Sequence, residues 1–183
     1  LKPKKSLLDG KQMGRVIRRM ANQIVERNRG AEEVVLVGIR TRGVPLAELL
    51  AAELERLEGH AVPRGTLDIT LYRDDLSTIA PQPVVRETSF PDGSIDGRIL
   101  VLCDDVLYTG RTIRAALDAL IDFGRPLAVQ LAVLIDRGHR ELPIQPDVVG
   151  RTVATAGDEV IEVRFEATDG EDAVELMERV EES

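Results

Sequence analysis

The sequence predicts an α/β fold, a mostly parallel sheet flanked by helices, on three observations. Short apolar runs at residues 34–37, 99–103 and 127–135 lack polar alternation, as strands buried on both faces require. Stretches with helical spacing of apolar residues lie between them. Each run gives way to a polar loop containing glycine, and strands alternating with helices favour right-handed parallel connections. A chain of 183 residues, 43% of them apolar, has the length and core material of one domain, so residues 1–183 are read as a single unit.

In chain order, residues 11–28 predict an amphipathic helix, because Met13, Val16, Ile17, Met20 and Ile24 fall on one stripe and Gly30 stops it. Arg15, Arg18, Arg19 and Asn22 face elsewhere, either solvating the helix or gripping phosphates. The strand Val34-Val35-Leu36-Val37 leads into Gly38-Ile39-Arg40-Thr41-Arg42-Gly43 and a helix over residues 45–57. Glycine amides and two guanidinium groups at a strand's carboxyl end suit an anion, although basic turns are also common without one. Leu67, Ile69 and Leu71 alternate with Asp68 and Thr70, as in a half-exposed strand. Residues 72–92, holding Arg73, Asp74, Asp75 and Arg86, have little periodicity, so a lid or a disordered loop is expected.

The central stretch is residues 99–112, Ile-Leu-Val-Leu-Cys-Asp-Asp-Val-Leu-Tyr-Thr-Gly-Arg-Thr. An apolar strand delivers Asp104 and Asp105 to its carboxyl end, where open parallel sheets bind ligands. Thr109, Gly110, Arg111 and Thr112 then open a helix reaching about residue 123, and such a start offers unpaired N–H groups to a phosphate. Carboxylates for a vicinal diol next to an anion cradle suit a sugar phosphate. Residues 127–135 form the next strand, which leaves through Asp136-Arg137-Gly138-His139-Arg140-Glu141-Leu142. His139, with only His60 as a second histidine, reads as a surface contact ahead of a general base. Residues 160–165 predict a late strand and residues 170–180 a final acidic helix.

The lone Cys103 excludes an internal disulfide and reads as a buried thiol in a reducing compartment. No run approaches 18 apolar residues, so no membrane span or signal segment is expected and the cytoplasm is the default location. The net charge of -8 is unevenly spread, with residues 1–30 at +7 and residues 157–183 at -9. Such a split permits a basic face on an acidic protein, or two solvated faces without a partner.

Asp-Asp-Val-Leu-Tyr-Thr-Gly-Arg-Thr behind an apolar strand resembles the phosphoribosyl pyrophosphate (PRPP) motif of the type I phosphoribosyltransferases. The resemblance implies that family's fold, a mostly parallel sheet flanked by helices with a small hood subdomain. It also implies displacement of pyrophosphate from PRPP by a nitrogen base. Val106, Leu107, Tyr108 and residues 109–112 would hold PRPP, Arg40, Thr41 and Arg42 its pyrophosphate, the last through a non-proline cis peptide near Arg40-Thr41. Asp104 and Asp105 would serve catalysis and Mg2+, mostly through ribose hydroxyls or water, and Arg86 would meet the departing pyrophosphate from a lid at about residues 72–92. Hypoxanthine-guanine members usually carry an aspartate where Tyr108 stands, which argues against a purine of that kind and leaves adenine and orotate open.

Leu67-Asp68-Ile69-Thr70-Leu71-Tyr72-Arg73-Asp74-Asp75-Leu76 and Gln130-Leu131-Ala132-Val133-Leu134-Ile135-Asp136-Arg137-Gly138-His139-Arg140-Glu141-Leu142-Pro143-Ile144 are similar to one branch, the bacterial pyrimidine-attenuation regulators that are also uracil phosphoribosyltransferases. That likeness implies uracil, UMP and UTP as ligands, leader RNA of pyrimidine genes as partner, and self-association into dimers or higher oligomers. Arg137, Val160 and Ile161 would meet uracil; Arg15, Arg18, Arg19, Asn22, His139, Arg140 and Arg151 would form the RNA face. A salvage phosphoribosyltransferase with no RNA-binding role is the alternative.

Overall fold

The computed structural model describes residues 1–70 and 88–180. Five parallel strands form the main sheet: β2 (Val34–Ile39), β3 (Arg64–Leu67), β4 (Ile99–Leu107), β5 (Ala128–Asp136) and β6 (Val148–Thr152), in the order β3-β2-β4-β5-β6. Helices α1 (Gly10–Asn28) and α2 (Gly43–Glu58) cover one face, and α3 (Arg111–Leu120) the other. All six residues of β2 are buried, as its continuous apolar run requires of a strand covered on both faces. Met13, Ile17, Met20, Ala21 and Ile24 of α1 pack into the same core as Leu36, Val101 and Leu134. Asp9 begins α1 with a reciprocal cap, its carboxylate accepting from the Gln12 N–H and the Gln12 side chain accepting from the Asp9 N–H.

A second, separately bonded sheet is antiparallel, in the order β1-β8-β7, with β1 Lys2–Leu8, β7 Glu159–Arg164 and β8 Ala173–Glu178, and its inner residues share a core with the first. It corrects two readings. The final acidic helix expected over residues 170–180 is strand β8, preceded by one short helix, α4 (Glu166–Asp169). Glu, Met and Leu favour helices in isolation, but Val174 and Leu176 alternate inward against β7, and tertiary packing overrides that weak preference. The lysine-rich beginning is strand β1, paired with β8 from Lys2 opposite Glu178 to Leu8 opposite Val174.

This pairing also bears on the charge split. Part of the basic and acidic chain ends meets in one sheet, where Lys4 bonds Glu159 at 2.6 Å and approaches Glu178 at 3.7 Å. Lys2, Lys4 and Lys5 belong to that sheet, whereas the other six basic residues of 1–30 lie on or just after α1. Three smaller differences concern boundaries. β3 stops at Leu67, with Ile69 buried beyond it; α3 stops at Leu120 and continues as a 3-10 turn, Ile121–Phe123; and β6 adds a strand that the sequence pattern did not indicate. Residues 71–87, with Leu71, Arg73, Asp74, Asp75 and Arg86 and most of the expected lid, lie outside the described residues. Beyond it, Ser89 and Thr66 exchange backbone hydrogen bonds of 2.8 and 2.9 Å, and Phe90 meets Phe123 edge to face.

Candidate active site

β4 does not end before the acidic pair but runs through it to Leu107, so Asp104 and Asp105 are set by the sheet itself. Asp104 is 8% exposed and lines a cavity of about 330 Å³ with Val106, Leu107, Tyr108, Thr109, Gly110, Arg111, Thr112, Ile113 and Glu141. The Asp105 N–H donates to the Asp104 carboxylate at 2.9 Å, and the Val106 N–H to the Asp105 carboxylate at 2.8 Å. Burial, then the neighbouring charge of Asp105, pushes the Asp104 carboxyl well above the usual carboxylate range. Burial also raises Asp105, opposed by the Asp104 hydrogen bond, the Val106 amide and the charge of Arg42. Carboxyl groups held this way are disposed to accept from sugar hydroxyls.

The turn after β4 is shaped for an anion. Gly110, at φ +93°, supplies the left-handed residue that starts α3 and, as glycine, brings no side chain to cap it. The Arg111 N–H donates to the Thr109 hydroxyl at 3.3 Å. The first turn of α3 thus borders the same cavity as Asp104. Glu141, to which the sequence reading gave no role, reaches the same cavity from the loop after β5 and accepts from Arg111 Nε at 2.7 Å.

At the end of β2 the Arg40–Thr41 peptide is cis, as the resemblance implied. A Cβ at Gly43 would overlap the Cys103 carbonyl oxygen, so glycine lets the start of α2 close on β4 and brings Arg42 beside Asp105. Arg42 is bound to Asp169 of α4, another partner absent from the sequence reading. That guanidinium, then the Phe165 amide, holds Asp169 down to about 2. A basic loop followed by a distant acidic segment is too generic a pattern to have disclosed the pair. Burial pushes the Cys103 thiol far above its usual range, consistent with a core residue.

Arg137 is 6% exposed, and its guanidinium donates to the Glu159 carbonyl at 2.8 Å, the Thr155 hydroxyl at 3.2 Å and the Ala156 carbonyl at 3.3 Å. It also lies 4.0 Å from the Tyr108 ring centroid, and Tyr108 is 39% exposed. Arg137 therefore joins β5 to the start of β7, where Val160 is half-buried and Ile161 buried. Arg15, Arg18, Arg19 and Asn22 are exposed along α1. Arg19 reaches the Val149 and Gly150 carbonyls, and Asn22 donates to the Arg18 carbonyl of its own helix. Arg151 donates to the Leu7 carbonyl and pairs in register with Ile135, next to the loop that carries His139. His139 is exposed at φ +62°, its Nε2 2.7 Å from the Thr155 carbonyl. Arg140 is half-buried and donates to Asp136, Ile144 and Tyr108, so its charge serves the loop internally.

Comparison with known proteins agrees with this geometry. The model of the family described as phosphoribosyl transferase domain matches residues 3–168. A Deinococcus radiodurans protein named Bifunctional protein PyrR is 58% identical, covering 96% of this chain and 95% of its own length. A protein of that name from Thermus thermophilus is 57% identical over 96% of this chain and 97% of its own. Among solved structures, the hypoxanthine phosphoribosyltransferase of Trypanosoma cruzi superposes with a TM-score of 0.72 at 17% identity, covering 96% of this chain and 97% of that one, a likeness of fold.

Proposed function

Because the chain belongs to the phosphoribosyltransferase family, alongside its bifunctional PyrR members, we propose that it converts uracil and PRPP to UMP and pyrophosphate. We further propose that, with a uridine nucleotide in the same site, it binds leader RNA of pyrimidine genes. The observation that carries the reading is the cavity that Asp104 shares with the start of α3. A pentose 5′-phosphate there would set its phosphoryl oxygens against the α3 amides and its 2′- and 3′-hydroxyls toward the two aspartates.

In the transfer, uracil N1 forms the new bond to ribose C1 as the bond from C1 to the pyrophosphate oxygen breaks, the bond pair leaving with pyrophosphate and the N1 proton passing to water or to a pyrophosphate oxygen. The protein's part is placement and charge stabilisation, without a protein nucleophile. Residues 40–42 would receive the departing pyrophosphate. Arg86 and the lid at residues 72–92 keep that expected role. Tyr108, Arg137, Val160 and Ile161 would bound the uracil, since Arg137 fixes the base of that wall and Tyr108 stacks on it. Mg2+ fits the donor set: among the described residues no three-ligand cluster occurs, and two adjacent carboxylates suit a hard cation that keeps waters and substrate oxygens. When bound it would neutralise pyrophosphate charge, with Asp104 and Asp105 as its protein contacts through hydroxyls or water.

For RNA, the exposed side of α1 with Arg15, Arg18, Arg19 and Asn22 adjoins Arg151, and His139 projects from the next strand's loop. Phosphate contacts by these groups would give binding that falls steeply with salt. Self-association and a cytoplasmic location complete the proposal; among the described residues no helix is long and apolar enough to cross a membrane. The internal acceptors of Arg19, Arg140 and Arg151 favour a second reading, a salvage enzyme whose arginines hold its own loops. One pair of assays tests both. Uracil, hypoxanthine, adenine and orotate are each offered with PRPP and Mg2+, and leader RNA is titrated with and without UMP. Turnover of uracil with UMP-dependent RNA binding is expected; turnover without RNA binding at low salt selects the second reading.

A further inference from the structure

We propose that Glu141 is the protein's own occupant of the phosphate cradle: its carboxylate holds Arg111 until a phosphorylated ligand displaces it, and this exchange repositions the loop that carries His139. The inference rests on the reading that the cradle receives a nucleotide phosphate, and it deepens that reading into a mechanism of regulation.

Glu141 is the one residue of the cavity wall that comes from the loop after β5; the others belong to β4, the turn and α3. Its Oε2 accepts at 2.7 Å from Nε of Arg111, the first residue of α3, and both residues line the cavity. An arginine presents a planar fork of donors matched to carboxylate and phosphate alike, so the two anions compete for one partner. A dianionic phosphate beside an ionised Glu141 would also be repelled by it. Filling the cradle therefore favours withdrawal of the carboxylate.

The loop that carries Glu141 is also stitched to the cradle by its backbone. The Glu141 and Leu142 amides both donate to the Thr109 carbonyl, at 2.9 and 3.3 Å. Arg140 donates to the Tyr108 carbonyl at 2.8 Å, and the Arg137 amide to the Leu107 carbonyl at 3.1 Å. A Cβ built on Gly110 would touch Leu142 and Ile144, which shows how closely the two segments are layered. Any adjustment of Thr109 and Gly110 around a phosphate passes through these bonds to residues 137–142. His139, two positions before Glu141, sits at φ +62° with its ring against Tyr108, so the same movement alters the group offered to RNA. Glu141 is thus a positioning residue that makes RNA affinity depend on the phosphate, and by linkage makes phosphate affinity depend on RNA.

Glu141→Gln tests this, since glutamine keeps an oxygen for Arg111 while removing the charge. UMP, inorganic phosphate and uridine are titrated calorimetrically into wild type and variant, and in vitro transcribed pyrimidine leader RNA is titrated with and without UMP. The variant should bind UMP and phosphate about two- to fivefold tighter, the range of an exposed charge pair. Uridine affinity should not change, and the factor by which UMP tightens RNA should fall at least twofold. Wild-type UMP affinity in the variant, equal tightening of uridine, or undiminished RNA coupling overturns the proposal alone. Failure of the wild-type protein to bind UMP overturns the cradle reading and the proposal with it.

Discussion

Replacing Asp104 by asparagine should remove turnover and at the same time stabilise the fold. The carboxyl is buried beside Asp105, and its proton affinity is raised first by burial and next by its neighbour's charge. A group that binds its proton more tightly folded than unfolded makes stability fall as pH rises above the ordinary carboxylate range. The penalty is absent in acid and fully present once Asp104 is ionised in the folded protein. Two unit charges about 4 Å apart repel by about 4 kcal/mol at an effective dielectric of 20. Against this stands the Asp105 N–H bond to Asp104, worth about 1.5 to 3 kcal/mol with a charged acceptor. Asparagine keeps a weaker form of that bond and loses the repulsion, so a net gain of about 1 to 2 kcal/mol follows at pH 8. At roughly 2 to 4 °C per kcal/mol for a chain of this size, Tm should rise by about 2 to 8 °C. Thermal unfolding of wild type and Asp104→Asn at pH 5 and pH 8, with uracil turnover on the same samples, measures both effects. A variant no more stable than wild type at pH 8, or equally stabilised at pH 5, would refute the electrostatic reasoning; retained turnover would refute the site.

Four further outcomes are expected. Gly43→Ala should destabilise by about 2 to 4 kcal/mol in urea unfolding, because its Cβ meets the rigid Cys103 carbonyl of β4. Arg137→Lys should cost about 2 to 4 kcal/mol and weaken UMP binding by calorimetry, since one ammonium cannot serve the Glu159, Ala156 and Thr155 acceptors together. Asp169→Asn should lower the KM for PRPP while leaving UMP affinity unchanged, because only PRPP brings a pyrophosphate to Arg42. Arg18→Ala should weaken leader-RNA binding at every sequence and reduce the slope of log affinity against log salt by about one, measured by filter binding.

Strands β2, β4 and β5 of the main sheet were legible from their apolar runs, whereas the short β3 and β6, with Arg64 and Arg151, carry no such signal; α1 was legible too, its stripe at Met13, Ile17, Met20 and Ile24 all buried. The site followed from that sheet: Asp104 and residues 109–112 are neighbours along the chain, and the structure puts them around one cavity. The antiparallel sheet was not legible. Lys2 to Lys5 look like a solvated tail until the acidic β7 and β8 stand beside them, and residues 170–180 carry helix-forming side chains on a strand. Arg42–Asp169 and Arg111–Glu141 were hidden for the same reason, since each joins residues at least 30 positions apart and no local pattern encodes either pair. Arg140 was legible only in part: its place in a conspicuous loop suggested a partner molecule, while its bonds to Asp136, Ile144 and Tyr108 emerge only from the fold.

These ion pairs bear on how a protein of net charge -8 would hold a polyanion. Both arginines at the proposed anion positions, Arg42 and Arg111, are paired with a carboxylate of the protein. A phosphate that takes such an arginine replaces one partly exposed ion pair with another, and such pairs are worth only about 0 to 1 kcal/mol. Little net affinity is left for the arginines to supply. The burden then falls on the amides at the start of α3 and on the left-handed turn at Gly110. Arg111→Ala should accordingly weaken UMP by only a few-fold. Gly110→Val, which forces a β-branched residue to φ +93° against Ile144, should abolish binding while the folded core, measured by urea unfolding, survives. A large loss from Arg111→Ala beside a small one from Gly110→Val would show that the guanidinium, and not the backbone, holds the phosphate.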